Sequence, residues 1–136
     1  MSNIEGCFNY TMHNESWRNI NSSSRIQPNS SSCDARYLRT EWHRFTGAAG
    51  TKLHAKCPET NNKCGTANPG WIVDNKDQPF SNMLAIGESK KVMLHFNSLY
   101  CAADYGTVDV MECGGFVTYR FLYIPYWSCD YGLCTV

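Results

Sequence analysis

Eight cysteines spread from Cys7 to Cys134 constrain this chain more than any other feature. Their number is even and their spacing wide, and a reducing compartment rarely leaves so many thiols in a short protein. Disulfides between distant segments are expected, and with them a secreted or extracellular setting. Spacing alone leaves roughly a hundred connectivities open. Metal binding is the competing use of cysteine. Zinc ribbons need two close pairs with about two to four intervening residues. Here six residues separate Cys57 from Cys64 and four separate Cys129 from Cys134. The first pair is too wide even with His54 nearby, so no metal site is expected.

A length of 136 residues suits one domain, spanning 1–136. Twelve basic side chains balance twelve acidic ones, and charged residues make up only 18% of the chain. Neither nucleic acid nor an anionic membrane is therefore an expected partner. Four Trp, eight Tyr and six Phe supply enough apolar surface for a folded core. No run approaches the roughly 20 apolar residues of a membrane span, since Arg120 and Pro125 interrupt the most hydrophobic segment, 114–127. Met1 to Gly6 lack the basic start and apolar run of a secretory leader, so a mature or excised form is expected.

Asn and Ser crowd residues 9–32, which read as a polar loop. Four glycosylation sequons fall there, beginning at Asn9, Asn14, Asn21 and Asn29. In an oxidising secretory route at least one should carry a glycan, and this edge would then face solvent. Asp34 to Leu38 suits a short helical turn with Asp34 as its N-cap. Beyond it the pattern is that of strands. Thr40 to Phe45, Lys91 to Phe96, Thr107 to Cys113 and Gly115 to Ile124 alternate or carry aromatic and β-branched residues, and Gly47-Ala48-Ala49-Gly50 reads as a flexible turn. The expected fold is all-β or β-dominated, a disulfide-rich single domain with at most one or two short helical turns.

Chemistry for catalysis is thin. Ser81 and Ser128 lack a nucleophile elbow, and an even cysteine count leaves no spare thiol. His43 and His95 sit in strand-like runs and read as structural residues. Asp74, Asp77, Asp104 and Asp109 form neither a calcium loop nor an acid–base pair. No enzyme activity and no cofactor are expected. The aromatic stretch 114–127 admits two readings. It is a central strand buried on both faces, in which case Arg120 needs a partner, or its end exposes Tyr119, Tyr123, Tyr126 and Trp127 as an interface. Trp42 and Trp71 join these four as a candidate binding surface. An alternative role is a carrier that encloses an apolar small molecule or pigment between aromatic faces, possibly at a subunit interface.

Several motifs in order resemble one family. Cys33-Asp34-Ala35-Arg36-Tyr37-Leu38, then Glu41-Trp42-His43-Arg44-Phe45-Thr46-Gly47-Ala48-Ala49-Gly50, resemble the C-D-x-x-L and G-W-Y-R-F-x-G-x-x-G run of the uromodulin-type eight-cysteine domain. Cys64-Gly65-Thr66-Ala67-Asn68-Pro69-Gly70-Trp71-Ile72 resembles its C-G-T-x-x-P-x-W-L signature, and Glu15-Ser16-Trp17-Arg18-Asn19 resembles its early W-R-S element. Val110 to Tyr119, with Cys129 and Cys134, completes the layout.

The resemblance implies a secreted, non-catalytic, β-rich recognition or structural module. Its partners would be extracellular proteins, glycan-binding receptors or further copies of itself. By the same resemblance Cys7 pairs with Cys113, Cys33 with Cys129, Cys64 with Cys101, and Cys57 with Cys134. Two departures stand out. Met93 and Tyr100 occupy the places of an additional cysteine pair in vertebrate members. Tyr119-Arg120-Phe121 also lacks the sequon those members carry on this strand, so a glycan offered to lectins would come from the N-terminal sequons instead.

Overall fold

A computed structural model of the protein describes residues 4–15, 18–20, 41–55, 57, 64, 68–73, 84–96, 104–124 and 131–136. Among these, seven strands form one sheet: β1 Thr11–His13, β2 Trp42–Phe45, β3 Asn68–Val73, β4 Ser89–Phe96, β5 Asp104–Glu112, β6 Val117–Tyr123 and β7 Tyr131–Leu133. Short 3₁₀ turns at Glu5–Cys7 and Gly47–Ala49 complete the elements. The chain is β-dominated and disulfide-bonded, as its alternating segments and cysteines imply.

The strand order is β1-β2-β6-β5-β4-β3-β7. β3 to β6 form an antiparallel meander, and β2 adds antiparallel to β6. Each edge strand pairs parallel, β1 with β2 and β7 with β3. Register is enforced by burial, because a one-residue slip would turn the apolar positions to the opposite face. Val92 faces Val108, Lys90 faces Val110, Leu94 faces Gly106, and Val110 in turn faces Tyr119. Val92, Leu94, Phe96, Val108, Val110, Tyr119 and Phe121 thus fill one continuous core face. An irregularity between Thr107 and Val108 pairs Val108 with Phe121 but Thr107 with Tyr123. The extra residue on β6 is Leu122, which is exposed along with Tyr123.

A second layer closes the core. The backbone of Cys134 to Val136 hydrogen-bonds to Arg18 and Ile20 on one side and to Lys52 and His54 on the other. Leu53 and Ala49 are buried beneath it, and Thr135 Oγ1 donates to the Ala49 carbonyl. Two disulfides are formed between described residues. Cys7 bonds Cys113 with a Cα separation of 5.5 Å, the pair that the resemblance implies. Cys64 bonds Cys134 at 5.3 Å.

That second bond corrects the expected pairings Cys64–Cys101 and Cys57–Cys134. The cause is positional: Cys134 N donates to Gly70 O, which sets Cys134 beside β3, into which Cys64 leads. Cys57 is also disulfide-bonded, to a cysteine outside the described residues. Cys33, Cys101 and Cys129 lie outside them as well, as do Asn21, Asn29, Tyr126, Trp127 and the helical turn expected at 34–38.

One further local reading is corrected. Thr11–His13, placed by composition in a loop, form β1, because three residues suffice for an edge strand when a neighbour supplies the hydrogen bonds. The turn expected at 47–50 is present as a 3₁₀ turn, with Gly50 N bonded to Gly47 O at 3.0 Å.

Candidate functional site

The N-terminal arm, residues 4–10, lies against β2 and β6 and builds the first candidate site. Cys7–Cys113 anchors it, and Phe8 N and Asn9 N both donate to Glu5 O, closing the turn. Gly6 makes this approach feasible: a Cβ there would sit 2.6 Å from Trp42 Cδ2, so only glycine lets the backbone lie on the indole. Trp42, Arg120 and Asp109 occupy one row across β2, β6 and β5. The Arg120 guanidinium stands 4.9 Å from the indole centroid and donates to Asp109 Oδ2 from Nη2 at 2.9 Å and from Nε at 3.3 Å. This is the partner that a charge in an apolar strand requires.

Between arm and sheet lies a cleft of about 420 Å³. The arm contributes Glu5, Asn9 and Tyr10 to its lining, β1 contributes Thr11, and β2, β6 and the residue before β2 contribute Trp42, Arg120 and Glu41. Thr11 Oγ1 donates to Glu41 Oε2 at 3.3 Å, next to the β1–β2 pair. Glu5 and Glu41 bring carboxylate acceptors to the lining, its one guanidinium, Arg120, is paired with Asp109, and aromatic side chains lie alongside. Tyr10 is held in turn by Arg44, which donates from Nη1 to the phenol at 2.9 Å and stacks 3.9 Å from the Phe116 ring centroid.

A second cluster is packed between β1 and β2. His13 Nε2 lies 2.8 Å from His43 Nδ1, and His13 Nδ1 is 3.5 Å from Glu15 Oε1, which Arg18 Nη2 also approaches at 3.5 Å. Burial pulls His43 down to about 4, assisted by the charges of His13 and Arg18, so it is neutral at pH 7. Burial alone would raise Glu15, but the His13 hydrogen bond and Arg18 outweigh it and hold the carboxyl at about 2. Either ring nitrogen can donate in the His13–His43 contact, depending on the tautomer of each imidazole. His43 Nε2 is buried without a hydrogen-bond partner among the described residues. With His43 only 1% exposed, no substrate reaches it.

Burial redraws the aromatic surface. Tyr119 is 3% exposed, Trp42 8% and Trp71 2%. These three belong to the packing, which corrects their expected role as a binding surface. Tyr119 points inward with the core face and its phenol accepts from Leu53 N at 3.0 Å. Trp71 packs edge-on to His95, which packs edge-on to Tyr105. Only Tyr123, about half exposed, keeps an outward position among the described members of that set. His43 and His95 are buried, as their place in strands suggests. Asn9 and Asn14 are exposed. The cleft residues Glu5, Tyr10 and Glu41 carry no signal in the sequence, because they come from separate segments. Arg120 carries one as a charge inside an apolar run, Asn9 as the start of a sequon and Trp42 as an aromatic in a strand-like segment.

No cluster of three metal-ligating side chains occurs among the described residues, and no described helix is long and apolar enough to cross a membrane. Residues 43–135 match the family model of the uromodulin-like eight-cysteine domain, more than half of the 136-residue chain. The match begins inside β2, so the N-terminal arm and the sequons precede it. The chain belongs to the uromodulin-like eight-cysteine domain family, a family of extracellular, non-enzymatic modules.

Proposed function

We propose that this protein is a secreted, N-glycosylated recognition or structural module, with no catalytic role, that engages extracellular proteins or glycan-binding receptors. The carrying observation is the pair of disulfides Cys7–Cys113 and Cys64–Cys134, which span 106 and 70 residues and bind the N-terminal arm and C-terminal segment to the sheet. Such bonds persist in oxidising compartments. Exposure of Asn9 and Asn14 supports glycosylation on the same edge. Burial of His43, whose Nδ1 is engaged by His13, supports a non-catalytic reading. An apolar carrier is less favoured, because the cleft described here is lined by Glu5, Glu41, Asn9, Thr11 and Arg120.

The test is expression of the full chain through a eukaryotic secretory pathway, with intact-mass and glycopeptide analysis of the secreted product. Oxidised cysteines throughout and at least one occupied sequon are the expected outcome. Free thiols throughout, or four unmodified sequons, would overturn the reading.

A further inference from the structure

We propose that the cleft between the N-terminal arm and the β2–β6 edge is the berth of the protein's own carbohydrate, with the first N-acetylglucosamine on Asn9 folded into it. The inference rests on the proposed glycosylation and adds where that sugar goes. Asn9 lies on the cleft wall with its side chain exposed, and its backbone is pinned by the hydrogen bond to Glu5 O at 2.9 Å. A sugar attached there starts at the mouth of the cleft.

The lining matches what that sugar presents. Its hydroxyls and acetamide N–H are donors, and Glu5 and Glu41 in the lining are acceptors; its acetamide oxygen is an acceptor, and Arg120 is a donor. The C–H face of a pyranose packs on an aromatic ring, which half-buried Tyr10 supplies in the cleft lining. The volume of about 420 Å³ lies within the range of small-ligand sites. Tethering removes the need for high affinity, because a linked ligand has an effective concentration on the order of millimolar. Asn14 provides an internal control: it is exposed and carries a sequon, but it does not line the cleft.

The experiment follows release of each glycan from the folded, secreted protein by peptide-N-glycosidase, with glycopeptide mass spectrometry reporting Asn9 and Asn14 separately. Release at Asn9 is expected to be roughly tenfold slower than at Asn14, corresponding to a sugar docked about nine-tenths of the time, and to equalise after reduction and unfolding. Glu41→Ala, distant in sequence from Asn9, should raise release at Asn9 toward the Asn14 rate and leave Asn14 unchanged. Equal release in the folded protein overturns the proposal, and so does protection that survives Glu41→Ala, which would assign slow release to the backbone turn. Asn9 unoccupied beside other occupied sequons overturns the berth and leaves the secretory reading intact. Four empty sequons overturn both. Free chitobiose shifting the Trp42 resonances of the glycosylated protein would mean an empty cleft that takes a partner's sugar, and would also overturn the proposal.

Discussion

Nε2 of His13 and Nδ1 of His43 lie 2.8 Å apart across the parallel β1–β2 pair, with Glu15 behind the first ring and Phe121 beside the second. One hydrogen bond between two side chains thus reinforces an edge strand that contributes only three residues to the sheet. The arrangement works while His43 is neutral. A proton on it would sit next to His13 and Arg18 with no water to solvate the charge.

Acid should therefore loosen this edge in two steps. His43 has an ordinary value of 6.5 and stands at about 4 in the fold, so between these values the unfolded chain binds a proton that the native state refuses. Its contribution, present at neutral pH, is lost as pH falls from about 6.5 to about 4, on the order of 2–3 kcal/mol. Glu15, held at about 2 against an ordinary 4.5, adds a further loss below pH 4.5. Urea midpoints measured from pH 7 to pH 3 check this. His43→Gln should flatten the upper step, and a wild-type curve level between pH 7 and 4.5 would refute the assignment.

The Cys64–Cys134 bond closes a loop of 70 residues. Replacing both cysteines by serine should cost about 2–4 kcal/mol, chiefly by freeing the unfolded chain. Non-reducing peptide mapping of the wild type should recover a Cys64–Cys134 crosslinked peptide. Recovery of Cys64 joined to Cys101 instead would show that the two segments are not neighbours.

Tyr119→Phe removes the acceptor for the Leu53 amide at a fully buried position. An unsatisfied buried N–H costs about 1–2 kcal/mol. Chemical denaturation should report that loss with an unchanged denaturant slope. Burial also pushes the Tyr119 phenol well above its usual range, so alkaline difference spectra should show one tyrosine that ionises only on unfolding.

Gly6→Ala tests the contact of the arm with Trp42. The added Cβ meets three ring atoms of the indole within 2.9 Å, and relief requires the arm or the ring to move. A destabilisation of about 1–3 kcal/mol is expected, with a red shift of tryptophan emission as Trp42 gains water. Unchanged stability and emission would mean that the arm does not rest on the ring.

The long strands are legible in the sequence because their alternation is sustained. Val92, Leu94 and Phe96 on β4, and Val108 and Val110 on β5, repeat every second residue, and burial leaves that pattern a single register. β1 and β7 are not legible, since three residues carry too little periodicity to be told from a loop. Tyr119 misleads for a related reason. A tyrosine within an aromatic run suits a surface or a core equally well until the Leu53 amide is placed beside its hydroxyl. The cleft has no sequence signature, because Glu5 and Glu41 come from segments that the fold alone brings together.

From the sequence by itself came the β-dominated class, the disulfide chemistry, the family and the exposure of an Asn/Ser-rich edge at Asn9 and Asn14. These depend on composition and short-range pattern, which each segment carries locally. Tertiary structure alone decided that Cys64 meets Cys134, that Trp42 lies under Gly6, and that His13 reaches His43. Each of these joins residues at least 30 positions apart, and such contacts depend on how the sheet orders its strands.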